Sequence, residues 1–148
     1  MKLSTKGRYG VKAMVDLAIN YGGQPVSIKN ISERQHISEY YLEQLFSPLR
    51  KAKLIKSIRG AQGGYILNRH PKDITVADIM EVLEGPIEIS SCLEGEDSCS
   101  NVDCCATRLL WAKIKESLDN IMESTTLQDM VEDYRKINPP IKRSENNE

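Results

Sequence analysis

The chain has 148 residues, of which 40% are apolar and 28% are charged, and its formal net charge is −1. These values are typical of one soluble globular domain, or of a small domain with an appendage, and exclude wholesale disorder. No apolar run approaches the roughly 20 residues of a membrane helix, and the first residues lack the apolar stretch of a signal peptide. We therefore expect a cytoplasmic protein with no membrane association and with reduced cysteines.

Three short helices are predicted in the first fifty residues. Apolar residues recur at helical spacing over Gly7–Tyr21, and a pair of glycines ends this pattern. Ser27 is the expected N-cap of a second helix that ends near His36, and Ser38 is the expected N-cap of a third. Pro48 lies inside the third helical pattern, so we expect a bent or shortened last turn.

A β-hairpin is predicted after the third helix. Residues 54–58 predict a strand, residues 59–64 a glycine-rich turn, and residues 65–67 the return strand. Three short helices followed by a hairpin form the layout of a winged helix-turn-helix, and three residues between the second and third helices suit its corner. The alternative is a generic helical domain with a hairpin.

Further helices are predicted in the second half. An amphipathic helix is expected over Thr75–Glu84, and Thr125 and Gln128 indicate a capping box for a final helix over Leu127–Tyr134. The tail over residues 138–148 is rich in proline and charge and is expected to be disordered. A long helix precedes the capping box, and its large apolar residues recur over four turns: Leu109, Leu110, Ile114, Leu118, Ile121 and Met122.

This long helix carries more apolar surface than a winged-helix domain of about 70 residues can cover. It can pack against the helix over Thr75–Glu84, against its counterpart in a second subunit, or against both. We expect a homodimer, because two joined half-site readers bind a DNA duplex far better than one.

Charge is distributed unevenly along the chain. Residues 1–72 contain 13 Lys and Arg against four acidic residues, a net charge of +9. Residues 73–148 contain seven Lys and Arg against 17 acidic residues, a net charge of −10. Such asymmetry favours a first half that binds a polyanion such as nucleic acid, the alternative being a solvated surface whose charges have no such role.

The polar face of the third helix is the candidate for base recognition. Ser and Gln exchange hydrogen bonds with base edges, and Glu accepts one from the cytosine amino group. The candidates on this face are Ser38, Glu39, Tyr40, Glu43 and Gln44. Basic residues at the end of the helix and on the hairpin are candidates for phosphate contacts: Arg50, Lys51, Lys53, Lys56 and Arg59. Arg59, at the expected hairpin tip, also has the reach to enter a narrow minor groove.

The four cysteines lie close together, near and within a polar, acidic loop predicted over residues 86–104. Cys92, Cys99 and Cys105 are widely spaced, Cys104 directly precedes the last, and no Cys-x-x-Cys pair of the zinc-finger kind is present. Wide spacing of thiolates favours wrapping around an iron–sulfur cluster, and a helix N-terminus near Cys105 favours its thiolate form. Zinc binding, unliganded thiols and a redox thiol pair are the alternatives.

Several short motifs resemble the IscR-like family of winged-helix transcriptional regulators, which also includes NsrR and CymR. The resemblance covers about residues 1–135 and is carried by Lys6-Gly7-Arg8-Tyr9, Ile31-Ser32-Glu33-Arg34-Gln35, Tyr41-Leu42-Glu43-Gln44-Leu45-Phe46, Arg59-Gly60 and Gly63-Gly64-Tyr65. It implies a homodimer that binds palindromic double-stranded promoter DNA. It also implies a minor-groove role for Arg59 and base contacts for Ser38, Tyr40, Glu43 and Gln44.

The resemblance further implies a cofactor. Several family members hold an iron–sulfur cluster with three cysteines in the loop before the dimerisation helix, and Cys92, Cys99 and Cys105 match that pattern. A [2Fe-2S] cluster is favoured, and a [4Fe-4S] cluster is the alternative.

The position of the fourth ligand departs from the family pattern. IscR has a histidine three residues after the last cysteine, where this chain has Arg108, and NsrR-like proteins have an acid where this chain has Arg8. A guanidinium stays protonated and offers no lone pair, so neither arginine is expected to ligate iron. The remaining candidates are a small exogenous ligand, Cys104, the partner subunit's His36, Glu94, Glu96, Asp97 and Asp103.

Together these features predict a mainly α-helical protein with three parts: a winged helix-turn-helix over residues 1–72, a cysteine loop with dimerisation helices over residues 73–135, and a tail over residues 136–148. The predicted function is a non-enzymatic transcriptional regulator whose DNA affinity depends on an iron–sulfur cluster, in the manner of a sensor of iron–sulfur or redox status. A cluster-free, CymR-like repressor controlled by its thiols or by a partner is the first alternative. A small thiol redox or electron-transfer protein is the second.

Overall fold

A computed structural model describes residues 3–93 and 105–140. In chain order it contains α1 (Thr5–Ile19), α2 (Ile28–Gln35), α3 (Glu39–Lys51), β1 (Ile55–Ile58), β2 (Gly64–Leu67), α4 (Val76–Glu84), α5 (Ala106–Ser124) and α6 (Leu127–Ile137), with short 3₁₀ turns at Pro71–Asp73 and Ser91–Leu93. This order confirms the predicted mainly helical winged-helix fold. Residues 94–104 of the predicted loop and residues 141–148 of the predicted tail lie outside the described residues. None of the described helices is both long and apolar enough to cross a membrane.

Serine caps define the starts of the first three helices. The side chains of Ser4, Ser27 and Ser38 each accept a backbone N–H from three residues further on, at 3.0–3.1 Å. Because Ser4 caps α1, this helix begins before the predicted start at Gly7. The corner between α2 and α3 contains His36 with a φ of 56°, a left-handed conformation that glycine adopts more easily.

The third helix runs through its proline. α3 continues to Lys51, beyond Pro48, so the predicted shortening of its last turn is not observed. Proline removes one backbone hydrogen bond from a helix. Leu49 directly after it is buried in the core, and this packing holds the last turn in place.

The wing is joined to the segment before α2. β1 and β2 pair antiparallel with Ile55 opposite Leu67, and Tyr65 exchanges two backbone hydrogen bonds with Val26, of 2.8 and 3.0 Å. This close approach requires a glycine at position 64, where φ is 152° and a Cβ would lie 2.4 Å from the Val26 carbonyl oxygen. The wing is therefore held against the helix-turn-helix by its own backbone.

The capping box of α6 is one residue later than the predicted pair Thr125 and Gln128. The Thr126 hydroxyl accepts the Asp129 N–H at 3.1 Å, and the Asp129 carboxylate accepts the Thr126 N–H at 2.9 Å. Thr125 does not cap the helix because its hydroxyl donates to the Ile121 carbonyl at the end of α5, at 2.7 Å.

One apolar core joins the basic and the acidic halves of the chain. Ile79 and Leu83 of α4 and Leu127 and Val131 of α6 are buried in the same cluster as Phe46 of α3. In contrast, none of the 19 residues of α5 is buried. The predicted boundary between residues 72 and 73 stays a prediction. Among the described helices, α5 is covered only partly by the rest of the chain.

Candidate nucleic-acid interface and cysteine site

The predicted base-reading residues lie on the solvent side of α3. Tyr40, Glu43 and Gln44 are exposed, Tyr40 to 72%, and their spacing places them on one face of the helix. Ser38 lies at the start of α3, where its oxygen accepts the Tyr41 N–H at 3.1 Å and its proton remains available to a further acceptor. The structure thus brings these four candidates, together with the exposed Glu39 in the first turn, to the start and outer face of one helix.

Two aromatic contacts hold α3 against its neighbours. The rings of Tyr9 in α1 and Tyr41 in α3 meet edge to face with centroids 6.0 Å apart. The rings of Phe46 in α3 and Tyr65 in β2 lie 4.8 Å apart. Aromatic pairs of this kind contribute about 0.5–1.5 kcal/mol beyond their buried area. The orientation of α3 is consequently tied both to α1 and to the wing.

The predicted phosphate-binding side chains lie at or just after the end of α3 and on the wing. All five are exposed, and none of them is ion-paired within the part of the chain that the structure describes: Arg50, Lys51, Lys53, Lys56 and Arg59. Arg59 directly follows β1 and so lies in the turn at the tip of the wing. Unpaired, solvated cations on an exposed turn and helix end suit phosphate contacts that release counterions.

A buried carboxylate that we did not predict as a functional residue holds the helix-turn-helix together. Asp16 of α1 is only 2% exposed and accepts hydrogen bonds from Arg34 Nε at 3.0 Å, Arg34 Nη2 at 2.7 Å and Gln35 Nε2 at 2.9 Å. The hydrogen bond to Asp16 raises the pKa of Arg34. The end of α2, next to the corner, is therefore fixed to α1. The sequence signal for this role of Asp16 was an acidic residue within the apolar pattern of α1.

The two described cysteines lie at the two ends of the gap in the described chain. Cys92 is half-buried in the turn Ser91–Leu93, and Cys105 is the residue before α5. Arg108, in the first turn of α5, donates from Nε to the Cys92 carbonyl at 3.4 Å. This contact brings the Cys92 turn to the N-terminal end of α5, where Cys105 lies.

The start of α5 favours an anionic sulfur. The Thr107 hydroxyl lies 3.0 Å from the Cys105 Sγ, and this hydrogen bond is the main cause of a lowered pKa of the Cys105 thiol, followed by the backbone N–H of Arg108. Thiolates are the ligands of iron–sulfur clusters, so the chemistry of these two described donors fits such a group. No cluster of three or more potential metal ligands occurs within residues 3–93 and 105–140.

The other predicted ligands divide into two sets. His36 is exposed at the helix-turn-helix corner, and Arg8, which is not expected to ligate iron, is exposed on α1. Beyond the described residues lie Cys99, Cys104, Glu94, Glu96, Asp97 and Asp103. The third family-pattern cysteine and the fourth ligand accordingly stay predictions.

The long helix exposes large apolar side chains. Leu109 is 63% exposed and Ile121 is 62% exposed, at opposite ends of α5, and Leu110 is also exposed. Within the described chain α5 packs only partly against α4 and the Cys92 turn. Exposed apolar side chains on a partly covered helix make this face of α5 a candidate interaction surface.

A winged helix-turn-helix with an exposed reading helix and basic wing defines the class of DNA-binding transcriptional regulators. The model of the Rrf2 family, described as an iron-dependent transcriptional regulator, matches residues 3–133, and the chain belongs to this family. The predicted family and the predicted class of regulator are therefore confirmed.

Individual relatives agree with this assignment. The chain is 49% identical over 130 residues to the HTH-type transcriptional regulator CymR of Bacillus subtilis (strain 168), across 88% of this chain and 89% of CymR. It is 41% identical over 131 residues to the HTH-type transcriptional regulator IscR of Klebsiella pneumoniae (strain 342), across 88% of this chain and 80% of IscR. The solved structure of T. potens IscR matches with a TM-score of 0.77 and 50% identity, across 93% and 90% of the two chains.

Proposed function

We propose that this Rrf2-family regulator is a homodimer that binds palindromic promoter DNA with an affinity set by an iron–sulfur cluster on its cysteine segment. The observation that carries the proposal is the hydrogen bond from Arg108 to the Cys92 carbonyl, at 3.4 Å. It brings two cysteines of the family pattern, Cys92 and Cys105, to the same end of α5. A cationic Arg108 at that end suits an anionic cluster.

In this proposal α3 enters the major groove. Glu43 accepts a hydrogen bond from a cytosine amino group, and Tyr40, Gln44 and the Ser38 hydroxyl contact neighbouring base edges. These contacts are supported by the exposure of the outer face of α3. The exposed cations Arg50, Lys51 and Lys56 contact phosphates, and Arg59 at the wing tip enters the minor groove.

The proposed dimer pairs α5 with its counterpart in a second copy of the chain. Leu109, Leu110 and Ile121 are exposed on a helix that the rest of the described chain covers only partly, and a second copy would remove them from water. A twofold dimer presents two copies of α3 related by the same symmetry, and this arrangement matches a palindromic site.

The proposed cluster is held by Cys92, Cys99 and Cys105. When bound, a [2Fe-2S] cluster supplies a centre whose charge and occupancy respond to oxidants and to iron–sulfur supply. The contribution of the described chain is to present Cys105 as a thiolate and to place the positive charge of Arg108 beside the Cys92 turn. Arg108 acts as a charge partner and hydrogen-bond donor rather than as a ligand.

A second candidate is a cluster-free, CymR-like repressor in which the thiols themselves respond to oxidation. The lowered pKa of Cys105 favours this candidate, because a thiolate reacts faster than a thiol. The 49% identity to CymR supports it as well. A thiol-controlled regulator binds DNA differently before and after oxidation without any iron in the preparation.

Anaerobic purification tests the cluster directly. We expect brown protein with visible absorption and an EPR signal after reduction, together with two iron and two sulfide per chain. Cys92→Ser is expected to be colourless, whereas Ser91→Ala, in the same turn, keeps the colour. Colourless wild-type protein from an iron-replete anaerobic preparation contradicts the cluster, and a change in DNA affinity on mild oxidation of that protein supports the thiol candidate.

A further inference from the structure

The last residue of α4 is hydrogen-bonded to the first turn of α1. The Glu84 Oε1 accepts the Gly7 N–H at 3.1 Å and also accepts the hydroxyl proton of Ser4, whose oxygen caps Gly7 at 3.0 Å. The first turn of α1 contains no acidic residue and carries Lys6 and Arg8. Since helix N-termini favour negative charge, Glu84 supplies from another helix the charge that α1 lacks.

Close packing fixes Glu84 in this position. A Cβ added to Gly7 would lie 2.8 Å from the Met80 Cε, and a Cβ added to Gly10 would lie 2.0 Å from the Leu83 Cδ1. Glycines at these two positions therefore allow α1 and α4 to approach each other closely. Because the helices are in such close contact, a displacement of the end of α4 also displaces the start of α1.

The hydrogen-bonded pair Glu84–Gly7 lies between the cysteine segment and the reading helix. On one side, Gly85, with a φ of 76°, starts the irregular segment that leads to Cys92. On the other side, Tyr9 lies two residues after Gly7 and contacts Tyr41 of α3. Only a few residues thus separate the Cys92 segment from the helix that carries the base-reading side chains.

We propose that Glu84 is a positioning residue that couples the state of the cysteine segment to the orientation of α3. A change at Cys92 alters the position of Gly85 and with it the hydrogen bond from the Gly7 N–H to Glu84. The first turn of α1 then shifts, and the ring contact of Tyr9 with Tyr41 displaces α3 with it. The inference deepens the proposed function, on which it rests, by naming the route between its two parts.

The test uses the full-length, cluster-free protein, with its thiols either free or alkylated by N-ethylmaleimide as the perturbation of the cysteine segment. Two quantities are measured in each state: affinity for a palindromic duplex by fluorescence anisotropy, and amide hydrogen exchange of residues 5–12. The variants are Glu84→Ala, which removes the acceptor, and Glu84→Gln, whose amide oxygen still accepts the Gly7 N–H. Glu81→Ala, an exposed acid on the same helix, is the matched control.

In wild type and Glu81→Ala we expect alkylation to change DNA affinity at least fivefold and to change exchange at the Gly7 amide. In Glu84→Ala both responses should fall to less than twofold, with a thermal midpoint close to that of Glu81→Ala, and Glu84→Gln should restore most of the exchange response. A full response in Glu84→Ala, or no exchange response at Gly7 in wild type, overturns the coupling. An exchange response without an affinity response leaves the coupling standing and contradicts the proposed control of DNA binding.

Discussion

The DNA-reading half and the cysteine-bearing half of the chain differ in how far their apolar side chains are buried and their polar groups are paired. In the reading half the apolar face of α3 is buried, its helices are capped by serines, and its buried charge at Asp16 is paired with Arg34. In the other half α5 has no buried residue and exposes Leu109 and Ile121. The helices of the reading half are buried in a core that α4 and α6 complete, whereas α5 is covered only partly by the described chain. In the proposed function a second copy of the chain covers the exposed face of α5.

The largest effect is expected from substitutions that break the proposed dimer. Replacing Leu110 and Ile121 together by glutamate places charge on the exposed apolar surface of α5 and should give a monomer by light scattering. Affinity for a palindromic duplex should fall by about 100-fold, because the two half-site contacts are no longer joined. Glu33→Lys, which changes charge on the exposed surface of α2 and away from α5, should leave the dimer intact. A double variant that remains dimeric contradicts the role of this surface.

Removing the buried carboxylate of the reading half should mainly affect stability. Asp16→Ala removes three hydrogen bonds, and we expect the free energy of unfolding in urea to fall by about 2–3 kcal/mol. This loss is smaller than for a fully buried ion pair, because the Arg34 side chain is 45% exposed. Asp119→Ala breaks the partly exposed ion pair with Lys115 and should cost less than about 1 kcal/mol. Equal losses in the two variants would show that the Asp16 contacts do not hold α2 against α1.

The wing arginine should matter most where the minor groove is narrow. Arg59→Ala is expected to weaken binding about tenfold at sites with A·T-rich flanks and less at G·C-rich flanks, because narrow grooves concentrate negative potential. The slope of log affinity against log salt should become shallower by about one. Arg69→Ala, beyond β2 and also exposed, serves as the control. Equal losses on both kinds of flank contradict the placement of Arg59 in the minor groove.

A substitution on the reading helix itself is expected to have a smaller effect. Glu43→Ala should broaden the set of bound sequences while leaving affinity for the best site within a few-fold, because a carboxylate discriminates for cytosine and against acceptor-rich guanine edges. Sequencing of bound DNA from a random pool measures this breadth. Glu33→Ala, an exposed acid on α2, is the control. Loss of all binding by folded Glu43→Ala would assign this residue a structural role.

The smallest effect concerns the thiol of Cys105. Its hydrogen bond with Thr107 lowers its pKa, so its alkylation should reach half its maximal rate at a lower pH than that of an ordinary cysteine. Thr107→Val removes the donor and should move this midpoint to higher pH, as followed by mass spectrometry of the Cys105 peptide. Ser117→Ala in the same helix should have no effect. An unchanged midpoint in Thr107→Val would show that the hydrogen bond with Thr107 does not cause the lowered pKa of the Cys105 thiol.

Local features of the fold could be predicted, and contacts between distant residues could not. Ser27 and Ser38 were recognised as caps because a cap depends on a few adjacent residues. The cap of α6 was misplaced because Thr125 and Thr126 are equivalent locally, and only the bond from Thr125 to the end of α5 distinguishes them. The contact of Glu84 with Gly7 spans 77 residues, so no sequence periodicity indicates it.

The same limit applies to the functional site. The exposed face of α3 follows from helical periodicity, so the sequence alone places Tyr40, Glu43 and Gln44 on it, while their base contacts stay a prediction. The spacing of the cysteines indicates a cofactor but does not say where each sulfur lies, since ligands on an irregular segment obey no period. The hydrogen bond between Arg108 and the Cys92 carbonyl became visible only in three dimensions.

In the proposed function the cysteine half controls the DNA affinity of the reading half. The most direct test is the dissociation constant of the anaerobic protein for one palindromic duplex at fixed salt, measured before and after removal of the cluster from the same preparation. We expect the dissociation constant to change at least tenfold, with Cys92→Ser matching the cluster-free value. Equal dissociation constants for the cluster-loaded and cluster-free protein would contradict it.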